Sequence, residues 1–150
     1  IDVYTQIVQD VSKTTTVKKF TSAVKGRNEI LDKYAKGEIE VLTSMKCLDE
    51  GVDVPRSEMA IFCASTGNPR QFIQRRGRIL RKHPDKHLAI IHDLVVAPEI
   101  SSEQENYNME RSLLRGELNR VRDFAVLSEN ADYAYTELED ILTYYNLPLF

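Results

Sequence analysis

Two apolar segments, MAIFCAS (residues 59–65) and HLAIIHDLVV (residues 87–96), constrain the fold more than any other feature. Each has the length of a strand and places apolar side chains at successive positions, as in strands that are buried on both faces. Two further strands are predicted at residues 17–23 and 38–44, and helical patterns lie between the strands. This alternation predicts an α/β fold built on a parallel sheet.

Helices are predicted over residues 5–13, 27–37 and 70–82, and Gly37 stands where the cap of the second belongs. From about residue 103 the pattern becomes wholly helical, with a first long helix and a second over residues 131–147. We therefore predict two parts, residues 1–98 and a helical extension over 99–150. The predicted buried stripe of the first long helix consists of Leu113, Leu114, Leu118, Val121 and Phe124.

Composition excludes several classes of protein. The 150 residues suffice for one domain with a helical appendage, and they contain no apolar run of the roughly 20 residues that a membrane-spanning helix needs. Cys47 and Cys63 are isolated, and the three histidines form no ligand cluster, so no metal site is predicted. We expect both thiols to be reduced core residues of a cytoplasmic protein. Because the chain opens without a methionine, we interpret it as a piece of a larger protein.

Residues 70–82 contain five arginines, one lysine and no acid, although the whole chain has a net charge of −3. On a helix, Gln71, Gln74, Arg78 and Arg81 share one narrow stripe, and Gly77 leaves its edge open to a close approach. A solvated helix face usually mixes acids with bases, and arginine suits phosphate oxygens. The pattern favours a phosphate-bearing partner, while a plain basic face remains the alternative.

The acidic segment LDEGVDVP (residues 48–55) directly follows a predicted strand. It therefore falls at the carboxyl end of the sheet, where α/β proteins bind their ligands. Gly51 allows a close backbone approach, and Glu50 and Asp53 are able to accept hydrogen bonds from a sugar hydroxyl, a water or an arginine. An ordinary acidic turn explains the segment equally well.

Together, these segments resemble a known family. VLTSMKCLDEGVDVP (residues 41–55) is similar to motif V of the superfamily 2 helicases and translocases, and QFIQRRGRILR (residues 71–81) to their motif VI. The resemblance covers residues 17–96 and is nearest to the XPB-like DNA helicases and the motor subunits of restriction enzymes. It implies a second RecA-like domain, which is a parallel sheet with helices on both faces. Its first strand normally precedes residue 1 and is missing here.

The resemblance also implies residue roles. Arg78 and Arg81 match the arginines that reach the ATP phosphates across an interdomain cleft, with Arg81 as the arginine finger. Gln74 and Arg75 match residues that organise this cleft. The remaining matches are Gly51 and Asp53, near the ribose and the attacking water, and Thr43, Ser44 and Thr21, on the nucleic-acid backbone.

The implied function is that of the C-terminal motor domain of an ATP-dependent DNA helicase or translocase. Neither a G-x-x-x-x-G-K-[ST] phosphate loop nor a DEAH-type box occurs in the 150 residues, so ATP with Mg²⁺ is expected to bind mainly to an N-terminal RecA-like domain outside this sequence. Nucleic acid, DNA rather than RNA, and that domain are the expected partners. The alternatives are the motor of a restriction enzyme, a RecA-like module without turnover and a basic-helix adaptor.

Overall fold

In the computed structural model, residues 1–45, 52, 54–63, 77, 78, 80–100 and 105–148 are described. Among these residues two helices alternate with two strands, two further strands come next, and two long helices follow. The elements are α1 (Asp2–Val11), β1 (Val17–Phe20), α2 (Arg27–Ala35), β2 (Val41–Ser44), β3 (Met59–Phe62), β4 (Ile90–Asp93), α3 (Tyr107–Ala125) and α4 (Ala131–Tyr145).

The chain divides into two compact units. The first unit comprises the described residues of 1–60 and 70–90, and the second unit those of 61–69 and 91–150. The division into residues 1–98 and a helical extension over 99–150 remains a prediction. Within the described ranges, no helix is both long and apolar enough to cross a membrane.

The first unit contains a parallel pair of strands with a helix on each face. β1 and β2 run in register from Val17 opposite Val41 to Phe20 opposite Ser44. Phe20 is fully buried and packs with residues of α2. The neighbouring Lys19 points to the other face and donates a hydrogen bond of 2.5 Å to Asp2 of α1. Because successive strand residues alternate between faces, α1 and α2 lie on opposite sides, which confirms the predicted parallel sheet between helices.

Gly37 ends α2 in the predicted manner. Its φ of 79° is left-handed, which favours glycine, and its backbone N–H donates to the carbonyl of Tyr34 at 3.0 Å. A Cβ at this position would lie 2.8 Å from nitrogens of the Arg56 guanidinium. That guanidinium donates to the Ala35 carbonyl at 2.8 Å and so holds the end of the helix.

The second strand pair, β3 with β4, corrects one expectation about burial. The predicted strands are present, and the Leu94 N–H donates to the Phe62 carbonyl at 3.1 Å. Alternate side chains are nevertheless exposed, including Met59, Ile61 and Ile90. The prediction that these strands are buried on both faces is therefore wrong for the described residues. An apolar run favours a strand, but the element that covers each face comes from elsewhere in the chain.

The second unit packs α3 against α4 around a core of its own. The core consists of Leu114, Leu118, Val121, Leu142, Tyr145 and Leu147. Three members of the predicted stripe of α3 are thus confirmed, whereas Leu113 is 63% exposed and its predicted burial is wrong. The buried positions recur after four, three and four residues and end at Ala125, and Leu113 lies about 100° away from that line. Phe124 is half-buried, with its ring centroid 5.9 Å from that of Phe62.

Candidate functional site

Arg78 of the basic segment contacts the acidic loop. The Arg78 guanidinium donates from Nη1 to the backbone carbonyl of Val52, and the side chain is half-buried. Val52 and Val54 are 5% and 4% exposed and belong to the same core as Phe20. The carbonyl that receives Arg78 is therefore held by the hydrophobic core of the first unit.

Arg81 is exposed, three residues beyond Arg78. Gly77 is exposed as well, and a Cβ there would meet no atom within 4 Å. Its predicted role of admitting a close approach stays a prediction. Gly77 and Arg78 are helical, but most of the helix predicted over residues 70–82 lies outside the described residues. The assignment of Arg81 to a phosphate remains a prediction.

Lys86 fixes the far end of the same loop, a role for which the sequence offered no signal. Its Nζ donates to the carbonyls of Pro55 at 2.9 Å and Ser57 at 3.2 Å. Burial lowers the pKa of Lys86 from its usual value of 10.5. The Ser57 hydroxyl also shares a hydrogen bond of 2.9 Å with the Tyr34 hydroxyl of α2. These contacts give the carboxyl end of the loop a fixed position in the first unit.

The predicted nucleic-acid residues separate into two groups. Phe20 pairs with Ser44 in the parallel register, so Thr21 and Ser44 share the carboxyl edge of the sheet, and both are half-buried. Thr43 is only 9% exposed, and its hydroxyl lies 2.7 Å from that of Thr5 in α1.

The direction of the Thr43 bond follows from its neighbours. The single hydroxyl proton of Thr5 goes to the carbonyl of Ile1 at 3.1 Å, so Thr43 donates to Thr5. The hydroxyl proton of Thr43 is therefore used in the hydrogen bond that joins β2 to α1. The structure places Thr21 and Ser44 at the carboxyl ends of neighbouring strands and turns Thr43 inward. All three assignments to nucleic acid stay predictions.

Four predicted site residues lie outside the described residues. They are Gly51, Asp53, Gln74 and Arg75. Cys47 lies outside them too, while Cys63 is a half-buried free thiol. Among the side chains that the structure describes, no three His, Cys, Asp or Glu residues are grouped so as to hold a metal ion.

A buried ion cluster, also missed by sequence reasoning, joins β4 to α3 in the second unit. The Arg120 side chain is 8% exposed and donates to the carboxylate of Asp93 and, at 2.5 Å, to that of Glu117. Oδ2 of Asp93 is buried and has no hydrogen-bond partner among the described residues. Burial raises the pKa of Asp93, and the bond from Arg120 acts in the opposite direction. The cluster holds the end of β4 against α3.

Comparison with known proteins is consistent with this geometry. Residues 5–83 match the family described as the helicase conserved C-terminal domain. The chain is 42% identical over 88 residues to the DNA 3'-5' translocase XPB2 of Sulfurisphaera tokodaii, a match covering 57% of this chain and 20% of that protein. It is 34% identical over 74 residues to the putative ATP-dependent helicase IRC3 of Saccharomyces cerevisiae, covering 49% of this chain and 11% of that protein.

Among solved structures, the C-terminal part of the Fun30 ATPase domain has a similar fold. It superposes with a TM-score of 0.53 at 14% identity, over 82% of this chain and 44% of that one. This likeness shows the fold alone. The chain spans no more than a fifth of the length of the two curated relatives above.

Proposed function

Because the chain belongs to the helicase conserved C-terminal domain family, we propose that it is the C-terminal motor domain of an ATP-dependent superfamily 2 DNA helicase or translocase. The relative named as a DNA 3'-5' translocase, 42% identical over 88 residues, supports DNA over RNA. The intracellular setting proposed for it agrees with the free thiol of Cys63.

The hydrogen bond from Arg78 to the Val52 carbonyl is the observation that carries the proposal. It joins the segment that resembles motif VI to the segment that resembles motif V, within one compact unit. A solvated basic helix has no need of such an anchor. A guanidinium presents its N–H donors in a planar fork, so the bond to the Val52 carbonyl fixes its orientation.

The residues present fit a phosphate-bearing nucleotide held mainly by a preceding RecA-like domain. ATP with Mg²⁺ would supply the transferable phosphoryl group there. Arg81, exposed beside the anchored Arg78, would enter the cleft when the two domains close and stabilise negative charge on the equatorial oxygens. Because the arginine arrives only on closure, turnover becomes coupled to domain movement.

Thr21 and Ser44 would meet the nucleic-acid backbone from the carboxyl edge of the sheet, because Ser44 ends β2 and Thr21 directly follows β1. Hydroxyl groups that contact phosphate and sugar position a strand without reading its bases. This suits a motor that moves along a strand regardless of its sequence.

Substitution of Arg81 tests the proposal. In the protein that carries this sequence, Arg81→Ala is expected to lower the DNA-stimulated ATPase by about 10³-fold or more, within the range for arginine fingers, while ATP binding largely survives. The exposed neighbour Lys82 provides the matched control, since Lys82→Ala removes a positive charge one residue away. Turnover near that of the wild type in Arg81→Ala would overturn the assignment.

A further inference from the structure

A shallow groove runs along α3 in the second unit and has a volume of about 250 Å³. Leu118 and Leu147, which are 4% and 6% exposed, form its floor. Three polar side chains lie above them on one face of α3, because their spacings are four and three residues. The lining residues are Arg115, Leu118, Asn119, Arg122, Leu147 and Pro148.

The charges around this groove set it apart from the rest of the second unit. Residues 105–148 contain nine acids and only four arginines, and none of the acids lines the groove. Two of the arginines bind other groups of the second unit. Arg111 donates to the carbonyls of Tyr145 and Asn146, at 2.8 and 3.1 Å, and Arg120 occupies the buried ion cluster.

Arg115 and Arg122 are the remaining pair. Both are exposed, and neither forms an ion pair within the part of the chain that the structure describes. Arg111 already satisfies carbonyls at the carboxyl end of α4, whose dipole would otherwise repel an anion. Two unpaired guanidiniums with an amide between them, in an acidic surrounding, indicate an anionic ligand.

We propose that this groove binds the phosphate backbone of nucleic acid. It would be a second contact site, in addition to the one proposed at the sheet edge of the first unit. Arg115 and Arg122 are seven residues apart, which is a rise of about 10.5 Å along a helix. Three steps of a DNA strand, at about 3.4 Å each, cover the same distance. The groove is smaller than the roughly 300–1,000 Å³ of small-molecule sites, so it suits a short stretch of a long polymer. The choice of polymer rests on the proposed function.

Equilibrium binding without ATP tests the groove in the protein that carries this sequence. A fluorescent DNA of unrelated sequence is titrated over a range of salt concentrations. The double variant Arg115→Gln/Arg122→Gln is expected to bind about tenfold more weakly, with a salt slope shallower by about 1.4 for single strands and 1.8 for duplexes. Arg115→Lys/Arg122→Lys should keep the slope, because both charges remain.

Lys13→Gln/Lys36→Gln is the matched control, since it removes two exposed charges of the first unit that have no part in the groove. If the double variant does not fold, the single variants Arg115→Gln and Arg122→Gln test the proposal. Each is expected to change the salt slope of DNA binding by half as much. Unchanged DNA affinity and slope would overturn the proposal. A loss of affinity for a glutamate decapeptide alone would instead assign the groove to an acidic protein partner. The Arg81 test measures turnover at saturating DNA, so the two proposals fail independently.

Discussion

Single residues in this chain gain their roles from what surrounds them, and Arg120 is the clearest case. In the sequence it is one of several arginines in a long helix. In the structure it is buried and neutralises Asp93 at the end of β4, with Glu117 as a second acceptor. A buried ion pair contributes little net stability, but removal of one partner leaves an uncompensated charge in a poorly solvated place.

Arg120→Met is therefore expected to lower the free energy of unfolding by about 3–5 kcal/mol at neutral pH. Since the pKa of Asp93 is already raised by burial, loss of the cation raises it further. Asp93 of the variant then holds its proton more tightly in the folded state than in the unfolded state. The free energy of unfolding therefore falls as the pH rises from the usual pKa of an aspartate through the raised pKa of Asp93. Denaturant unfolding should accordingly show a smaller loss of unfolding free energy in Arg120→Met, relative to the wild type, in acid than at neutral pH.

The control for this prediction removes both charges. Asp93→Leu/Arg120→Met should recover most of the lost stability, because an apolar pair replaces a buried ion pair at little cost. A single Arg120→Met variant as stable as the wild type at neutral pH would contradict the prediction.

Elements were more predictable than their surroundings. The four strands and the helices at both ends of the chain follow from hydrophobic periodicity, which depends on local geometry alone. Burial was less predictable: Ile61 is exposed and Leu113 faces solvent, because coverage depends on the partner element and not on the residue. Likewise, the resemblance assigned Arg78 to a phosphate and did not predict its bond to the Val52 carbonyl. The inward turn of Thr43 depends on α1, which no motif includes.

The α3–α4 pair permits a matched test of this distinction. Leu114 is fully buried between the helices and Leu113 is 63% exposed, although the two are sequence neighbours of the same type. Leu114→Ala is expected to lower the free energy of unfolding by about 2–5 kcal/mol, because it removes buried methyl groups and leaves a cavity. Leu113→Ala should change stability by less than about 0.5 kcal/mol. Denaturant unfolding compares the two, and equal effects would show that the helix packs with another face inward.

For the whole molecule, the net charge of −3 argues against nucleic-acid binding by long-range attraction. The interaction proposed here instead depends on local donors. They are the hydroxyls at the sheet edge and the two arginines of the α3 groove, which lie in a segment (residues 105–148) with nine acids and four arginines. Such contacts address phosphate and sugar, which every sequence presents alike. They therefore predict affinity without base preference, even though the total charge of the chain is unfavourable.

Binding of several unrelated DNA sequences of one length to the protein that carries this chain checks this expectation. Their dissociation constants should agree within about threefold, since each base-specific contact would add about 1–3 kcal/mol of discrimination. The affinity should also fall linearly with salt on logarithmic axes, because phosphate contacts release counterions. A strong preference for one sequence would contradict the proposed backbone contacts. A flat salt response would contradict the arginine contacts, since guanidiniums that neutralise phosphates release counterions.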